Sequence, residues 1–187
     1  MTSRWVAFCR GINVGGHRAT KDELIAPVAA LGHRRVDTFL ASGNILFAPA
    51  AGAGHDPEPV GAAVGDALAE ALGFPVPTTI RTGDEVAALA ATSPFTDAEL
   101  AEVTIGKPQV VLLYDRSPVA LTAATDAAAK RSSPHDLLVA DPDLGAVHWL
   151  PAEGISGSTI EPDELASLFG QTTVRTANTI QRLDKKD

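Results

Sequence analysis

The sequence predicts an α+β protein made of two ferredoxin-like halves, each with the element order βαββαβ and related by internal duplication. Short apolar runs and amphipathic helical stretches follow one another in the same order in both halves. A short string also repeats, because Thr78–Thr82 and Thr172–Thr176 share four of five residues. We therefore predict an N-terminal half over residues 1–92, a connecting segment over 93–108 and a C-terminal half over 109–187.

In the first half, a strand-like run is followed by Thr20, with Glu23 three residues later as in a capping box. Gly32 ends this helix, and the next helix begins at Pro57. The triplet Ser42-Gly43-Asn44 separates two apolar runs and predicts a tight hairpin. Thr82, with Glu85 following, opens a further helix. The predicted strands are 5–9, 36–41, 45–47 and 76–81.

The second half repeats this order after an irregular stretch over residues 92–108. Ser117 and Pro118 are typical of a helix N-cap and first residue, and Pro162 begins another helix that Gly170 ends. The sequence from Asp141 to Gly145 predicts a second hairpin. The predicted strands are 109–114, 137–140, 147–150 and 172–175, with a last helix over 176–183.

Composition excludes several classes of function. The chain has 187 residues, 45% of them hydrophobic, and a net charge of −8, which argues against a general binder of nucleic acids or anionic membranes. Its single cysteine, Cys9, forms no intrachain disulfide, and its five histidines show no metal-ligand spacing. With no signal-like N-terminus and no apolar run near the ~20 residues that span a bilayer, we expect a cytoplasmic protein without a bound metal, cofactor or membrane.

The candidate site is the glycine-rich loop Arg10–Gly16, which follows the first strand. In a ferredoxin-like sheet this loop and the first hairpin lie at the same edge, near the entry to the fourth strand at Phe74. Glycines allow backbone N–H groups to approach a ligand, and Arg10 suits bidentate pairing with phosphate or carboxylate. We predict a site for a small anionic ligand, possibly a nucleotide, formed by Arg10, Gly11, Asn13, Gly15, Gly16, Ser42 and Asn44.

Other interpretations remain open at this stage. The loop is explained equally well as a plain turn, since it matches neither the P-loop nor the Gly-x-Gly-x-x-Gly pattern. A nucleic-acid-binding module and a protein-interaction scaffold are the alternative functions. Aromatic residues make up 5% of the chain, which disfavours base stacking on the sheet. No nucleophile or acid–base pair stands out, so the sequence does not decide whether the protein is an enzyme.

The string Arg-Gly-Ile-Asn-Val-Gly-Gly (Arg10–Gly16), followed by Ser42-Gly43-Asn44, resembles a bacterial family called domain of unknown function 1697. The Ser93-Pro94-Phe95 and Leu150-Pro151 segments extend the resemblance over nearly the whole chain. It implies a two-part α+β fold and no established activity.

The C-terminal half departs from the pattern of that family in two places. Ser158-Thr159-Ile160 stands where the family tends to have Ser-Lys-Leu, and residues 173–179 lack an asparagine and a tryptophan of the family motif but keep Arg175. We therefore include Arg175 among the candidate ligand residues. Under duplication it is the counterpart of Arg81, and the alternative for both arginines is a structural cap or ion pair.

Overall fold

A computed structural model describes residues 4–53, 56–103 and 105–186. His55, one of the five histidines, lies outside the described residues. The chain divides into two units, Met1–Val86 and Ala87–Asp187. The predicted halves and connecting segment have different bounds, and these bounds stay a prediction.

The first unit contains one antiparallel four-stranded sheet with two helices packed on one face. The strand order is β2-β3-β1-β4. Its elements are β1 (Trp5–Cys9), α1 (Lys21–Ala30), β2 (Arg34–Phe39), β3 (Asn44–Ala48), α2 (Pro57–Leu72), β4 (Thr78–Thr82) and the start of α3 (Gly83–Ala91).

The second unit contains a sheet with the equivalent order, β6-β7-β5-β8, also antiparallel. A single 3-10 turn at Ile155–Gly157 precedes α6. The remaining elements are α4 (Asp97–Ala101), β5 (Gln109–Leu113), α5 (Pro118–Arg131), β6 (Asp136–Asp141), β7 (Ala146–Pro151), α6 (Pro162–Phe169), β8 (Thr172–Thr176) and α7 (Ala177–Asp184). The predicted α+β class is confirmed, and each unit shows the order βαββαβ.

The strand register is the same in both sheets. Val6 lies opposite Arg81 in the first sheet, and Val110 lies opposite Arg175 in the second. The repeated string is therefore placed equivalently against the central strand of each unit. This agreement is what duplication requires, and duplication itself stays a hypothesis.

The two arginines of the repeated string also make equivalent bonds. Nη1 of Arg81 donates to Thr79 Oγ1 at 2.8 Å and to the carbonyl of Ile80 at 2.9 Å. Nη1 of Arg175 donates to Thr173 Oγ1 and to the carbonyl of Val174, both at 2.8 Å. Both side chains are buried, so these bonds to the strand's own groups offset part of the cost of burying a cation.

Each unit has its own apolar core between the sheet and its helices. The core of the first unit comprises Trp5, Ala7, Cys9, Ile12, Leu24, Val28, Ile45, Phe47, Val60, Val64, Leu68, Val76 and Ile80. The core of the second comprises Val111, Leu113, Ala124, Ala128, Leu138, Val147, Trp149, Ile160, Leu165 and Phe169. The alternate residues of the central strands, such as Val6 and Phe8, are buried as well, so both faces of these strands are excluded from water.

The helix signals of the sequence are confirmed at several ends. Thr20 and Glu23 form the predicted capping box, with the Glu23 carboxylate accepting from the Thr20 N–H at 2.8 Å. Asp56 caps α2, and Gly73 ends it in the left-handed conformation. The sequence analysis missed α4, although Thr96 and Glu99 form another capping box there. That pattern was available in the sequence as Thr-x-x-Glu.

The start of β2 differs from the prediction. The strand begins at Arg34 rather than at residue 36, and its register shifts between Arg34 and Asp37. Arg35 adopts a φ of 52° in this bulge, a conformation that the apolar pattern does not reveal. The preceding His33 is buried, with its ring 4.5 Å from that of Phe47 and its Nδ1 accepting from the Ala50 N–H at 3.0 Å.

Gly106 in the connecting stretch provides a stability test. A Cβ built on Gly106 would lie 1.7 Å from the carbonyl oxygen of Pro151, at the end of β7. We expect Gly106→Ala to lower the free energy of unfolding by about 1–3 kcal/mol, because the backbone must move apart. Ile105→Ala is the control, since Ile105 is 75% exposed and should change stability by less than about 0.5 kcal/mol. Urea denaturation followed by circular dichroism measures both; equal midpoints for the two variants would contradict the close contact.

Because His33 is buried, we expect the free energy of unfolding to depend on pH. Burial lowers its pKa from the ordinary 6.5, and its neutral Nδ1 accepts the Ala50 N–H. As the pH falls, the unfolded chain therefore binds a proton at a higher pH than the native protein does. The stabilisation that neutral His33 provides is complete above about pH 6.5 and is lost as the pH falls towards the pKa of His33 in the native protein. In His33→Gln the amide oxygen accepts the same N–H without titrating. Urea denaturation from pH 5 to 7 should give a smaller pH slope for the variant, and an unchanged slope would refute this assignment.

Candidate functional site

The loop and the first hairpin meet as predicted, through a close contact at Gly43. The Cys9 N–H donates to the carbonyl of Gly43 at 2.8 Å. A Cβ on Gly43 would lie 3.0 Å from the Cβ of Ile12 and 3.1 Å from that of Cys9. Gly43 also has a φ of 72°, so the position suits glycine both sterically and conformationally. The hairpin turn thus packs directly on the base of the loop.

Asn13 fastens the loop on two sides. Its Nδ2 donates to the carbonyl of Ala41 in the hairpin at 2.8 Å, and its Oδ1 accepts from the N–H of Ala19 at 3.1 Å. The residue adopts a φ of 57°, which asparagine tolerates better than most residues with a side chain. Asn13 therefore holds the middle of the loop between the hairpin and the approach to α1.

From Gly11 to Gly15 the backbone alternates in the sign of φ: Gly11, Asn13 and Gly15 have positive values, whereas Ile12 and Val14 between them do not. Gly16 is positive as well, with a φ of 90°. In the part of the chain that the structure describes, the N–H groups of Gly11, Gly15 and Gly16 donate to no protein acceptor. Alternation of this kind turns successive N–H groups towards a common side and forms a concavity suited to anions.

Asn44 and Ser42 shape the hairpin turn. Asn44 is fully buried, and its Nδ2 donates to the carbonyl of Phe39 at 2.8 Å and to Ser42 Oγ at 3.0 Å. Both N–H bonds of this amide are therefore used inside the turn. Ser42 is exposed. Asn44 therefore stabilises the shape of the hairpin turn. The ligand-binding role predicted for Ser42 and Asn44 stays a prediction.

The side chains of this edge include an exposed arginine and a pair of aromatic rings. Arg10 is exposed, and its backbone N–H donates to the carbonyl of Pro77 at 2.8 Å. The ring of His17, just after the loop, lies 4.1 Å from that of Phe74 with a 35° angle between planes. This contact places Phe74 at the edge, as the topology predicted. The sequence analysis did not foresee the contact, because ring stacking leaves no spacing signal between residues this far apart.

Arg175 belongs to the second unit, where Thr173 and Val174 are its partners. Its assignment to a ligand site stays a prediction. In the same unit, Thr159 donates through Oγ1 to Asp136 at 2.7 Å. Arg131 in turn donates to Thr159 Oγ1 at 3.1 Å and to Glu164.

Asp136 is a fully buried carboxylate. Burial raises its pKa, but hydrogen bonds from Ser158, Thr159 and Trp149 outweigh this and bring the pKa below its ordinary value. Trp149 Nε1 donates at 2.9 Å and Ser158 Oγ at 2.7 Å. All these donors come from the protein itself, so this cluster is explained by folding.

His148, in β7, is the other histidine with a shifted pKa. Burial lowers its pKa, and Asp141, with Oδ2 at 3.6 Å from Nε2, partly opposes this. The burial of His148 is consistent with a structural role. Among the described residues, no group of three or more histidine, cysteine, aspartate or glutamate side chains is arranged to hold a metal ion. Within the same residues, none of the helices has the length and apolar character to cross a bilayer.

Asn13 gives the site a direct test. Asn13→Gly keeps the backbone conformation but removes both side-chain bonds, and we expect it to lower the free energy of unfolding by about 1–2 kcal/mol. Asn13→Ala removes the same bonds and adds left-handed strain, for a further loss of about 1 kcal/mol. Urea denaturation of the two variants measures the difference. Equal stability of both would show that the positive φ at this position carries no cost.

Comparisons with known proteins agree with the fold. Residues 1–140 match the model of the family described as "Protein of unknown function (DUF1697)". The conserved bacterial protein SP0830 from Streptococcus pneumoniae has a similar solved structure, with a TM-score of 0.68, 16% identity and coverage of 100% of both chains. At this identity the likeness concerns the fold alone. No curated protein matches the chain. Because the family model spans more than half of the sequence, the chain belongs to the DUF1697 family of proteins of unknown function.

Proposed function

We propose that this protein binds a small anionic ligand, carrying a phosphate or carboxylate group and possibly a nucleotide, at the loop Arg10–Gly16. The observation that carries the proposal is the alternating sign of φ from Gly11 to Gly15. It accompanies N–H groups at Gly11, Gly15 and Gly16 that have no protein acceptor in the described residues. Exposed N–H groups gathered on one side of a fixed loop are suited to oxygen atoms of an anion.

The loop is also held in one conformation by its neighbours. A ligand that must order a mobile loop loses affinity, whereas a loop held in its bound conformation avoids that cost. Asn13 holds this loop through Ala41 and Ala19, and Gly43 packs beneath it. These contacts use the side chain of Asn13 and the hairpin, so they do not occupy the N–H groups of Gly11, Gly15 and Gly16.

Charge also favours an anion at this edge. The chain as a whole carries −8, yet residues 10–18 contain Arg10, Arg18 and His17 and no acidic residue. A local positive potential on an acidic protein attracts a small anion to one place and still repels long polyanions from the rest of the surface. Arg10 is the group best placed to add bidentate pairing.

The fold gives less support to the nucleic-acid alternative. Sheets of this type that bind RNA stack bases on an open face through aromatic side chains. Here the central strands β1, β3, β5 and β7 are buried at every position. The small-ligand proposal needs no open sheet face.

Arg10 variants test the proposal by thermal shift against phosphate, sugar phosphates, nucleotides and organic acids. For the best hit, we expect a stabilisation of about 2.7 kcal/mol at a hundredfold excess over Kd. Arg10→Ala should lose most of that shift, and Arg10→Lys should recover part of it, since lysine restores charge without the bidentate geometry.

Arg34→Ala is the matched control. Arg34 is an exposed arginine of the same unit, at the opposite end of β2 from the hairpin, so its removal changes the net charge equally and should preserve the shift. A hit that binds Arg10→Ala as tightly as wild type would exclude Arg10 from the site. Failure of every compound to raise the melting temperature of wild type would count against the proposal as a whole.

A further inference from the structure

A groove lies between α1 and α2 of the first unit, and none of the residues that line it belongs to the loop Arg10–Gly16. Its volume is about 870 Å³. Its apolar lining includes Pro27 of α1, the C-cap Leu31 and Ala71 of α2. Leu31 is 39% exposed. An exposed leucine beside a concave apolar surface is a feature of helix-binding grooves.

Every charged residue that lines the groove is acidic. Asp22 and Glu23 stand at the start of α1, and Glu70 stands in the last turn of α2. Neither α1 nor α2 has a basic residue in its last turn. The partial negative charge of these helix ends is therefore not offset by a cation within the last turn, and at the end of α2 it adds to Glu70.

Two features of α1 add negative charge or partial charge to the groove. The Glu23 carboxylate is fixed by the Thr20 N–H and hydroxyl, both at 2.8 Å, and these hydrogen bonds lower its pKa. Pro27, inside the helix, has no N–H to donate to the carbonyl of Glu23, its partner four residues earlier. The neighbouring Lys21 is paired with Asp37 at 2.7 Å, so the nearest lysine is directed to β2.

From this charge complementarity we propose that the α1–α2 groove docks a basic amphipathic helix of a partner protein. The apolar face of the helix would pack on Pro27, Leu31 and the alanines, and its Lys or Arg side chains would reach Asp22, Glu23 and Glu70. α1 has ten residues, about 15 Å, so a partner helix of about three turns matches its length. A second copy of this acidic chain fits less well, and an anionic lipid surface would be repelled.

The test uses the full chain and a defined probe. The probe is a fluorescein-labelled 14-residue helical peptide with leucines on one face and lysines on the other, and its comparison peptide has glutamate in place of every lysine. Fluorescence anisotropy measures binding of each. We expect the lysine peptide to bind and the glutamate peptide not to bind; equal binding would overturn the proposal.

Paired charge reversals separate docking from general attraction to an acidic protein. Glu70→Lys changes a groove residue, and Asp126→Lys makes the same change in charge on an exposed position of α5 in the second unit. We expect Glu70→Lys to weaken peptide binding about tenfold, since attraction becomes repulsion, and Asp126→Lys to weaken it less than about twofold. Equal weakening would mean non-specific attraction and would overturn the proposal.

A third variant tests the apolar floor. Ala26 is exposed and lines the groove. In Ala26→Gln the longer side chain occupies part of the groove, and glutamine is still a good helix former. Peptide affinity should fall several-fold while the melting temperature stays within error, and unchanged affinity would contradict docking in the groove. Sedimentation equilibrium tests whether a second copy of the chain occupies the groove instead. A wild-type dimer that Glu70→Lys dissociates would assign the groove to self-association and reject the partner helix.

Discussion

The first unit depends on the close contact of Gly43 with the base of the glycine loop. The Cβ atoms of Ile12 and Cys9 come within about 3 Å of where a side chain at Gly43 would begin, and Cys9 donates to its carbonyl. This contact sets the distance between the hairpin turn and the base of the loop. At that distance the carbonyl of Ala41 is within hydrogen-bond reach of Asn13. A larger residue at 43 would push the two connections apart, so the shape of the candidate site follows from an absent side chain.

Buried charge imposes a second constraint, and the two units meet it in related ways. Arg81 and Arg175 each bond to a threonine two residues earlier and to the preceding carbonyl, so the repeated string supplies acceptors together with the cation. Asp136 receives donors from Trp149, Ser158 and Thr159. A buried ion without such partners would cost several kcal/mol. These polar residues thus fix strand ends and the segment before α6, and their burial alone is no evidence of a ligand.

Much of the fold was predictable because its signals are local. Capping boxes, a proline at a helix start and a glycine after a helix end act within a few residues, and Thr20, Pro57 and Gly73 take those roles. The bulge at Arg35 depends on the pairing of β2 with β3, which periodicity does not encode. The site was predictable to the same extent. The topology predicts that the loop and the hairpin meet. Whether the Asn44 amide faces a ligand or bonds inside the turn depends on individual hydrogen bonds, which the sequence pattern does not encode.

The two units also show that the glycine loop is longer than the fold requires. In the first unit, residues 10–20 connect β1 to α1, which is eleven residues; in the second, residues 114–117 connect β5 to α5, which is four. The hairpin contact is kept in both, since Leu113 donates to the carbonyl of Gly145 as Cys9 does to that of Gly43. In the second unit the side chain of Arg116 lies over Gly145, and Asp115 accepts from the Ser117 N–H at 2.9 Å, so the chain turns at once into the helix. A four-residue turn therefore accomplishes the same step from strand to helix. The additional residues, with their positive φ values, are not needed to close the topology, and a long, fixed loop of this kind is where binding residues are concentrated in proteins.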